Sequence, residues 1–325
     1  MNRLYRCCRA LVTVLMLACA VQVQTLAADI DAVKAENPEQ IFPPQGVYIG
    51  TESCADCHEQ YLEQLEQEKH GQSADRRTPM AADGCESCHG PGEKHLEIVS
   101  EGEEAGGLIS FAGLSAESRE TENRVCLQCH QGGALIHWQT SMHAADTLAC
   151  TSCHKIHRPH LELDRVTQSE VCVNCHHKIR ADIYRASTHP IREGNVVCTD
   201  CHNAHGSAGP TSLKELSVNE NCYRCHAEIR GPFLWEHYPV SEDCSLCHRV
   251  HGSNHASLLT KSPPFLCQQC HQDVRIEGQR HVRRFFDFDF SDTQRRSRFV
   301  LGEGCMNCHS QVHGSNHPSG AALMR

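Results

Sequence analysis

Residues 222–255 read CYRCHAEIRGPFLWEHYPVSEDCSLCHRVHGSNH. The stretch holds two Cys-x-x-Cys-His units, Cys222/Cys225/His226 and Cys244/Cys247/His248, with His237 between them and His251 and His255 just after. Two cysteines at this spacing form thioethers to the two vinyl groups of one haem, and the adjacent histidine is placed to take the iron. The stretch therefore predicts two c-type haems.

Working outward, the unit occurs ten times. The cysteine pairs are Cys54/Cys57, Cys85/Cys88, Cys126/Cys129, Cys150/Cys153, Cys172/Cys175, Cys198/Cys201, Cys222/Cys225, Cys244/Cys247, Cys267/Cys270 and Cys305/Cys308. Their proximal histidines are His58, His89, His130, His154, His176, His202, His226, His248, His271 and His309. Histidine is 25 of 325 residues, so its place after all ten pairs is not a product of composition. The sequence predicts a decahaem cytochrome c.

The N-terminus carries Arg3, Arg6 and Arg9, an apolar run from Ala10 to Val21, then Ala27 and Ala28. That order is a cleaved secretory signal peptide, residues 1–28, followed by an N-terminal segment, 29–53. The apolar run is shorter than the ~20 residues of a spanning helix, and no later run is longer. Cleavage removes Cys7, Cys8 and Cys19 and leaves 20 cysteines, all inside motifs. Lipidation at Cys19 is the alternative, but Met16-Leu17-Ala18-Cys19 is a poor lipobox.

Residues 29–325 carry twenty-seven Lys and Arg against forty Asp and Glu, a formal charge of −13. Haem propionates add to this, which disfavours nucleic acid and favours partners with basic faces. Aromatic residues are only 5% of the chain, too few for a conventional core over this length. The haems must supply the core of a fold of short α-helices and loops with little strand, dependent on cofactor.

The first cysteines of successive motifs lie 31, 41, 24, 22, 26, 24, 22, 23 and 38 residues apart. Every second motif recurs at 45–50 residues through the centre, so the repeat is a pair of haems. Even motifs are followed by His95, His157, His205, His251 and His313; odd motifs are followed by His70, His143, His189, His237 and His281. These ten are the expected distal ligands. A histidine three residues past a proximal ligand cannot cap the same iron, so the first five are assigned to the odd haem of each pair and the second five to the even haem. His137, His160, His255 and His317 are rivals for individual places, and His177 is left over. Ten bis-histidine, low-spin, low-potential haems follow.

Residues 58–70 read as a helix with Tyr61, Leu62 and Leu65 on one face, and the Gly/Glu-rich stretch 91–122 reads as a loop. Residues 272–304 are an insert rich in Arg and Phe, suited to packing on haem edges or a protein partner.

Zinc ribbons and local disulfides also use Cys-x-x-Cys pairs, but neither explains the histidine after each pair. An enzyme needs an open iron position, and fifteen non-proximal histidines are available to close ten. Electron transfer is therefore the expected role, with no catalytic residue. A nitrite- or hydroxylamine-type multihaem enzyme is the minor alternative.

Four stretches carry a resemblance: CTDCHNAHGS at 198–207, CHAEIRGPFLWEHYPV at 225–240, LCQQCH at 266–271 and CMNCHSQVHGSNHPSG at 305–320. With them the chain from Cys54 onward resembles the periplasmic decahaem cytochromes of the MtrA, DmsE and PioA type. The resemblance implies an elongated file of ten haems over 54–325, divided into pentahaem halves at about 54–190 and 191–325. It also implies a periplasmic protein held in an outer-membrane β-barrel porin (MtrB-like). Such a complex conducts electrons between a periplasmic or inner-membrane cytochrome and an extracellular multihaem cytochrome or reductase in anaerobic respiration. A soluble periplasmic carrier feeding a terminal reductase is the alternative.

Overall fold

The computed structural model describes residues 46–104, 106–158, 163–271, 305–307 and 309–321. The signal peptide, residues 29–45, His160, the 272–304 insert with His281, and Cys308 lie outside the described residues. The chain divides into two compact units, Met1–Ser110 and Phe111–Arg325.

In the first unit, α1 (Thr51–Glu66) contains the first motif and kinks at His58, whose φ of −118° and ψ of 34° leave the helical region. The helix expected over 58–70 thus starts seven residues earlier and stops at Glu66, followed by a 3₁₀ turn at Lys69–Gly71. Of its expected apolar face, Leu65 is buried and Tyr61 is exposed. Helix α2 (Glu86–His89) carries the second motif, and α3 (Glu93–Ser100) follows at once. Buried Glu86 holds these parts together by accepting hydrogen bonds from the backbone N–H groups of Ile49, Gly50 and Gly92 at 2.9, 2.9 and 2.7 Å.

In the second unit, α4 (Ala116–Leu127) leads into the third motif. Together with α3 it corrects the reading of 91–122 as a loop. The missed signal is the capping box of Ser115 and Ser118, whose side chains each accept from the other's backbone N–H. The other helices are short: α5 (Met142–Ala145), α6 (Gln168–Val173), α7 (His177–Asp182), α8 (Cys198–Cys201), α9 (Val218–Tyr223) and α10 (Tyr238–Glu242). Ser141 and Ser217 cap α5 and α9. The motifs at Cys150, Cys244 and Cys267 sit on 3₁₀ turns.

Strand is confined, among the described residues, to β1 (Trp235–Glu236), antiparallel to β2 (Gly314–Ser315), with Trp235 opposite Ser315. A single bridge between Ser187 and Ser253 repeats this pairing one haem pair earlier. The apolar cluster is small: Val173, Ile183 and Ile191, with Ile179 and Val196 against it. Side chains of that number cannot hold so long a chain, in keeping with a cofactor-based interior. Among the described residues no helix is long and apolar enough to cross a membrane.

Candidate haem sites and the chain of contacts between them

Each motif is a single tight turn. In nine of them the backbone N–H of the proximal histidine donates to the carbonyl of the first cysteine at 2.9–3.1 Å, from His89 to Cys85 through His309 to Cys305. This i→i+4 closure puts both sulfurs and the imidazole on one side of the turn.

The histidines meet two at a time. The facing rings are His58 with His95 (centroids 6.5 Å apart), His143 with His176 (6.1 Å), His154 with His205 (5.9 Å) and His189 with His226 (6.4 Å). Three further pairs are His202 with His251 (6.0 Å), His237 with His271 (6.1 Å) and His248 with His313 (6.0 Å). Two metal–nitrogen bonds of about 2.0 Å plus the two ring radii give a separation of about 6 Å. Every pair joins one proximal histidine to one expected distal histidine. Among the described residues no three His, Cys, Asp or Glu side chains converge on a point that could hold a metal ion by themselves. Pairs facing across a gap suit a planar macrocycle.

The partners correct the sequence assignment in six of the seven cases. His95 faces His58 as expected. His205, His251 and His313 face the even-motif histidines His154, His202 and His248, not the odd-motif His176, His226 and His271. His143, His189 and His237 face the odd-motif His176, His226 and His271, not His154, His202 and His248. The reason is that the facing partners sit in neighbouring repeats: His205, His251 and His313 reach back one repeat, and His143, His189 and His237 reach forward one, long-range contacts invisible to local spacing. Of the other expected distal residues, His70 sits on the 3₁₀ turn at Lys69–Gly71, and His157 holds a left-handed φ of 62° just past the fourth motif.

Backbone carbonyls set the ring orientation. His143 donates its Nδ1–H to the carbonyl of Ala204 at 2.8 Å, His189 to Val250 at 3.0 Å and His237 to Val312 at 3.0 Å. His95 donates likewise to Gly106, and the proximal His89, His202 and His248 to Ile109, Thr211 and Ser257. A carbonyl can only accept, so each of these rings carries a proton on Nδ1, which leaves Nε2 as the ring nitrogen through which it could ligate a metal. Thr211 and Ser257 hold left-handed φ angles of 49° and 53°, which is unusual for residues with a side chain. Burial, then the facing imidazole, pushes His205, His251 and His313 below the usual histidine range, and burial, then His130, does the same for His154; the shift favours the neutral, ligating form.

The motifs touch in an alternating series. Their cysteine sulfurs are the atoms that become thioethers on haem attachment. First cysteines lie beside one another within each pair of motifs: Cys54 and Cys85, Cys126 and Cys150, Cys172 and Cys198, Cys222 and Cys244, and Cys267 and Cys305. Second cysteines come close between pairs: Cys153 near Cys175, Cys201 near Cys225 and Cys247 near Cys270. In the second unit this links the third motif to the tenth without a gap. Burial first, and neighbouring sulfur second, pushes Cys54 up to about 11 and Cys222 up to about 12. A thiol held protonated in this way is a weak nucleophile.

Among the described second cysteines Cys57, Cys129, Cys153, Cys175, Cys225 and Cys270 are exposed, and Cys88, Cys201 and Cys247 are half-buried. The turns of the second and third motifs are built like the rest, with the N–H groups of Cys88 and Cys129 donating to the carbonyls of Cys85 and Cys126 at 3.2 and 3.3 Å.

Several working residues escaped the sequence reading. Three residues before the first cysteine of motifs 3 and 7, Asn123 and Asn219 accept from the N–H of Cys150 and Cys244 at 2.7 and 2.8 Å. Both also donate to backbone carbonyls just upstream of those cysteines. Gln168 clamps Thr199 in the same way. The triplet His-Gly-Ser, at 205–207, 251–253 and 313–315, was the readable signal for the distal loop. Its glycine admits no Cβ: one at Gly252 would overlap the Asp182 carbonyl, and one at Gly314 the Phe233 ring.

Comparison with known proteins agrees with this architecture. Residues 189–231 and 237–276 match the doubled CXXCH motif family, and residues 85–165 match the cytochrome c-type protein NrfB-like family. The chain is 41% identical over 279 residues to the multiheme cytochrome MtrA of Shewanella baltica, covering 85% of this chain and 81% of that protein. The chain belongs to the MtrA family of multihaem c-type cytochromes. It carries multiple covalent c-type haems on its CXXCH motifs, and its activity is electron transfer. More distant likeness extends to the C-type polyheme cytochrome OmcB of Geobacter sulfurreducens, 26% identical over 74% of this chain but 31% of that protein. The cytochrome c-type protein Cgr1 of Eggerthella lenta is 24% identical over 46% of this chain and 71% of its own length.

Proposed function

We propose that this MtrA-family cytochrome binds ten c-type haems, each held by two histidines, and conducts electrons across the outer membrane inside a β-barrel porin. The observation that supports the reading is the series of facing histidine pairs, each joining a motif histidine to an expected distal one at 5.9–6.5 Å, along a chain whose motif cysteines lie near one another within and between pairs. Bound haem supplies one-electron Fe(III)/Fe(II) chemistry. The chain's part would be to hold each haem through the two cysteine sulfurs of its motif and through two histidines whose rings are oriented at Nδ1. An iron held by two histidines would have no position open to substrate, which suits conduction rather than catalysis. The two pentahaem halves, about 54–190 and 191–325, are a reading of the haem count and not of the compact units, which divide after Ser110.

The polar surface of such a chain cannot face lipid, since unpaired backbone in hydrocarbon is costly, whereas a barrel with a polar lumen can enclose it. The barrel is a separate protein. On the periplasmic side the acidic chain meets a cytochrome donor, and outside it meets an extracellular cytochrome or reductase. The test is to purify the protein from native outer membranes and reconstitute it, with what accompanies it, into liposomes holding a redox dye. A co-purifying barrel and dye reduced by external reductant support the conduit. A cytochrome recovered alone from the periplasm, with the dye still oxidised, overturns it in favour of a soluble carrier.

A further inference from the structure

Glu122 lies on α4 one turn before Cys126, and no part of it is exposed to solvent. Its Oε1 accepts from the N–H of Gly113 at 2.7 Å and its Oε2 from the hydroxyl of Thr151 at 3.0 Å. Thr151 directly follows Cys150, and Cys150 lies beside Cys126. The carboxylate thus sits at the seam where motifs 3 and 4 meet, near enough for its charge to weigh on the Cys150 sulfur. Both oxygens are acceptors, and among the described residues neither bonds to a cationic side chain.

One repeat later the same place is neutral. Gln168 stands four residues before Cys172, as Glu122 does before Cys126, and its Oε1 accepts from the hydroxyl of Thr199, the residue after Cys198. Two repeats later the position is Val218. The scaffold bond to the threonine hydroxyl is shared by Glu122 and Gln168; the charge is not.

We propose that Glu122 is a potential-setting residue: a buried negative charge that holds the haems of motifs 3 and 4 at lower reduction potentials than those of motifs 5 and 6. A fixed negative charge in a weakly screening interior stabilises the ferric over the ferrous form, and Gln168 has none to offer. The inference rests on haem attachment at Cys126 and Cys150.

The experiment uses the full holoprotein with E122Q, E122D and Q168E. Mass spectrometry of wild-type peptides tests attachment first: absence of haem mass on the peptides bearing Cys126 and Cys150 overturns the attachment reading, and the proposal with it. With haem present, spectroelectrochemical titration of E122Q is expected to lose its lowest-potential component to higher values. E122D is expected to keep the wild-type curve, and Q168E to gain a component at lower potential. Superposed curves for all three, or shifts of E122Q and Q168E in the same direction, overturn the charge assignment while leaving attachment intact.

Discussion

His143 donates its Nδ1–H to the carbonyl of Ala204, 61 residues further on, at 2.8 Å. The next residue, His205, faces His154. One dipeptide therefore orients the histidine that faces His176 of motif 5 and supplies the one that faces His154 of motif 4. Val250-His251 does the same through His189 and His202, also across 61 residues, and Val312-His313 through His237 and His248. Each of these loops therefore braces two facing histidine pairs at once.

The pairing predicts which iron a substitution reaches. His237→Met is expected to alter the haem on Cys267/Cys270, raising its potential as Met ligation does, and to leave the haem on Cys244/Cys247 intact. In the double variant His237→Met/His271→Met, EPR should lose one bis-histidine signal. Loss of two would mean that these histidines serve different irons.

Gly252→Ala is expected to destabilise the protein by about 2 kcal/mol or more, since overpacking forces the backbone apart. The new Cβ would strike the Asp182 carbonyl, at a φ of 151° that side-chain residues avoid. Because Val250, His251 and Gly252 form one loop, the haems facing His189 and His251 should lose low-spin character together during denaturant unfolding. Loss at one haem only would separate what the shared loop joins.

Asp182 is buried and ion-paired with Arg185 at 2.7 Å and Arg249 at 3.2 Å, tying α7 to the eighth motif. Burial opposes its ionisation, but hydrogen bonds and charge from Arg185 and Arg249 prevail and hold its pKa below the usual carboxylate range. A depressed folded pKa means stability that is complete above the unfolded value of about 3.9 and is lost as pH falls through the lowered one. Asp182→Asn should cost about 2 kcal/mol at neutral pH, with the gap to wild type closing in acid. Equal gaps in denaturant melts at both pH values would contradict the charge argument.

Asn219→Ala strands the Cys244 N–H and the carbonyls of Val240 and Ser241, for an expected loss of about 2–3 kcal/mol. Haem content should stay at the wild-type value, because no ligand or sulfur is touched. Thermal unfolding paired with a haem assay checks both halves; a fall in haem content at unchanged stability would give Asn219 a role in attachment instead.

Sequence alone determined the cofactor class, the repeat of two haems, the poverty of strand and the set of histidines from which the facing pairs are drawn. These are local properties: a cysteine spacing, a neighbouring imidazole, a recurrence length. The capping box at Ser115 was equally local and was simply overlooked. Tertiary structure decided which histidine faces which, because a distal ring such as His143 reaches His176 only when the loop carrying Ala204 folds back to hold it. It also brought Cys153 of the fourth motif near Cys175 of the fifth, across the boundary between two pairs of motifs. It decided that Asn219 works as a clamp on Cys244, and that Glu122 and Gln168 occupy one place with different charge. Spacing along a chain fixes what can bind a haem; only the meeting of residues sixty positions apart fixes the partner that closes it.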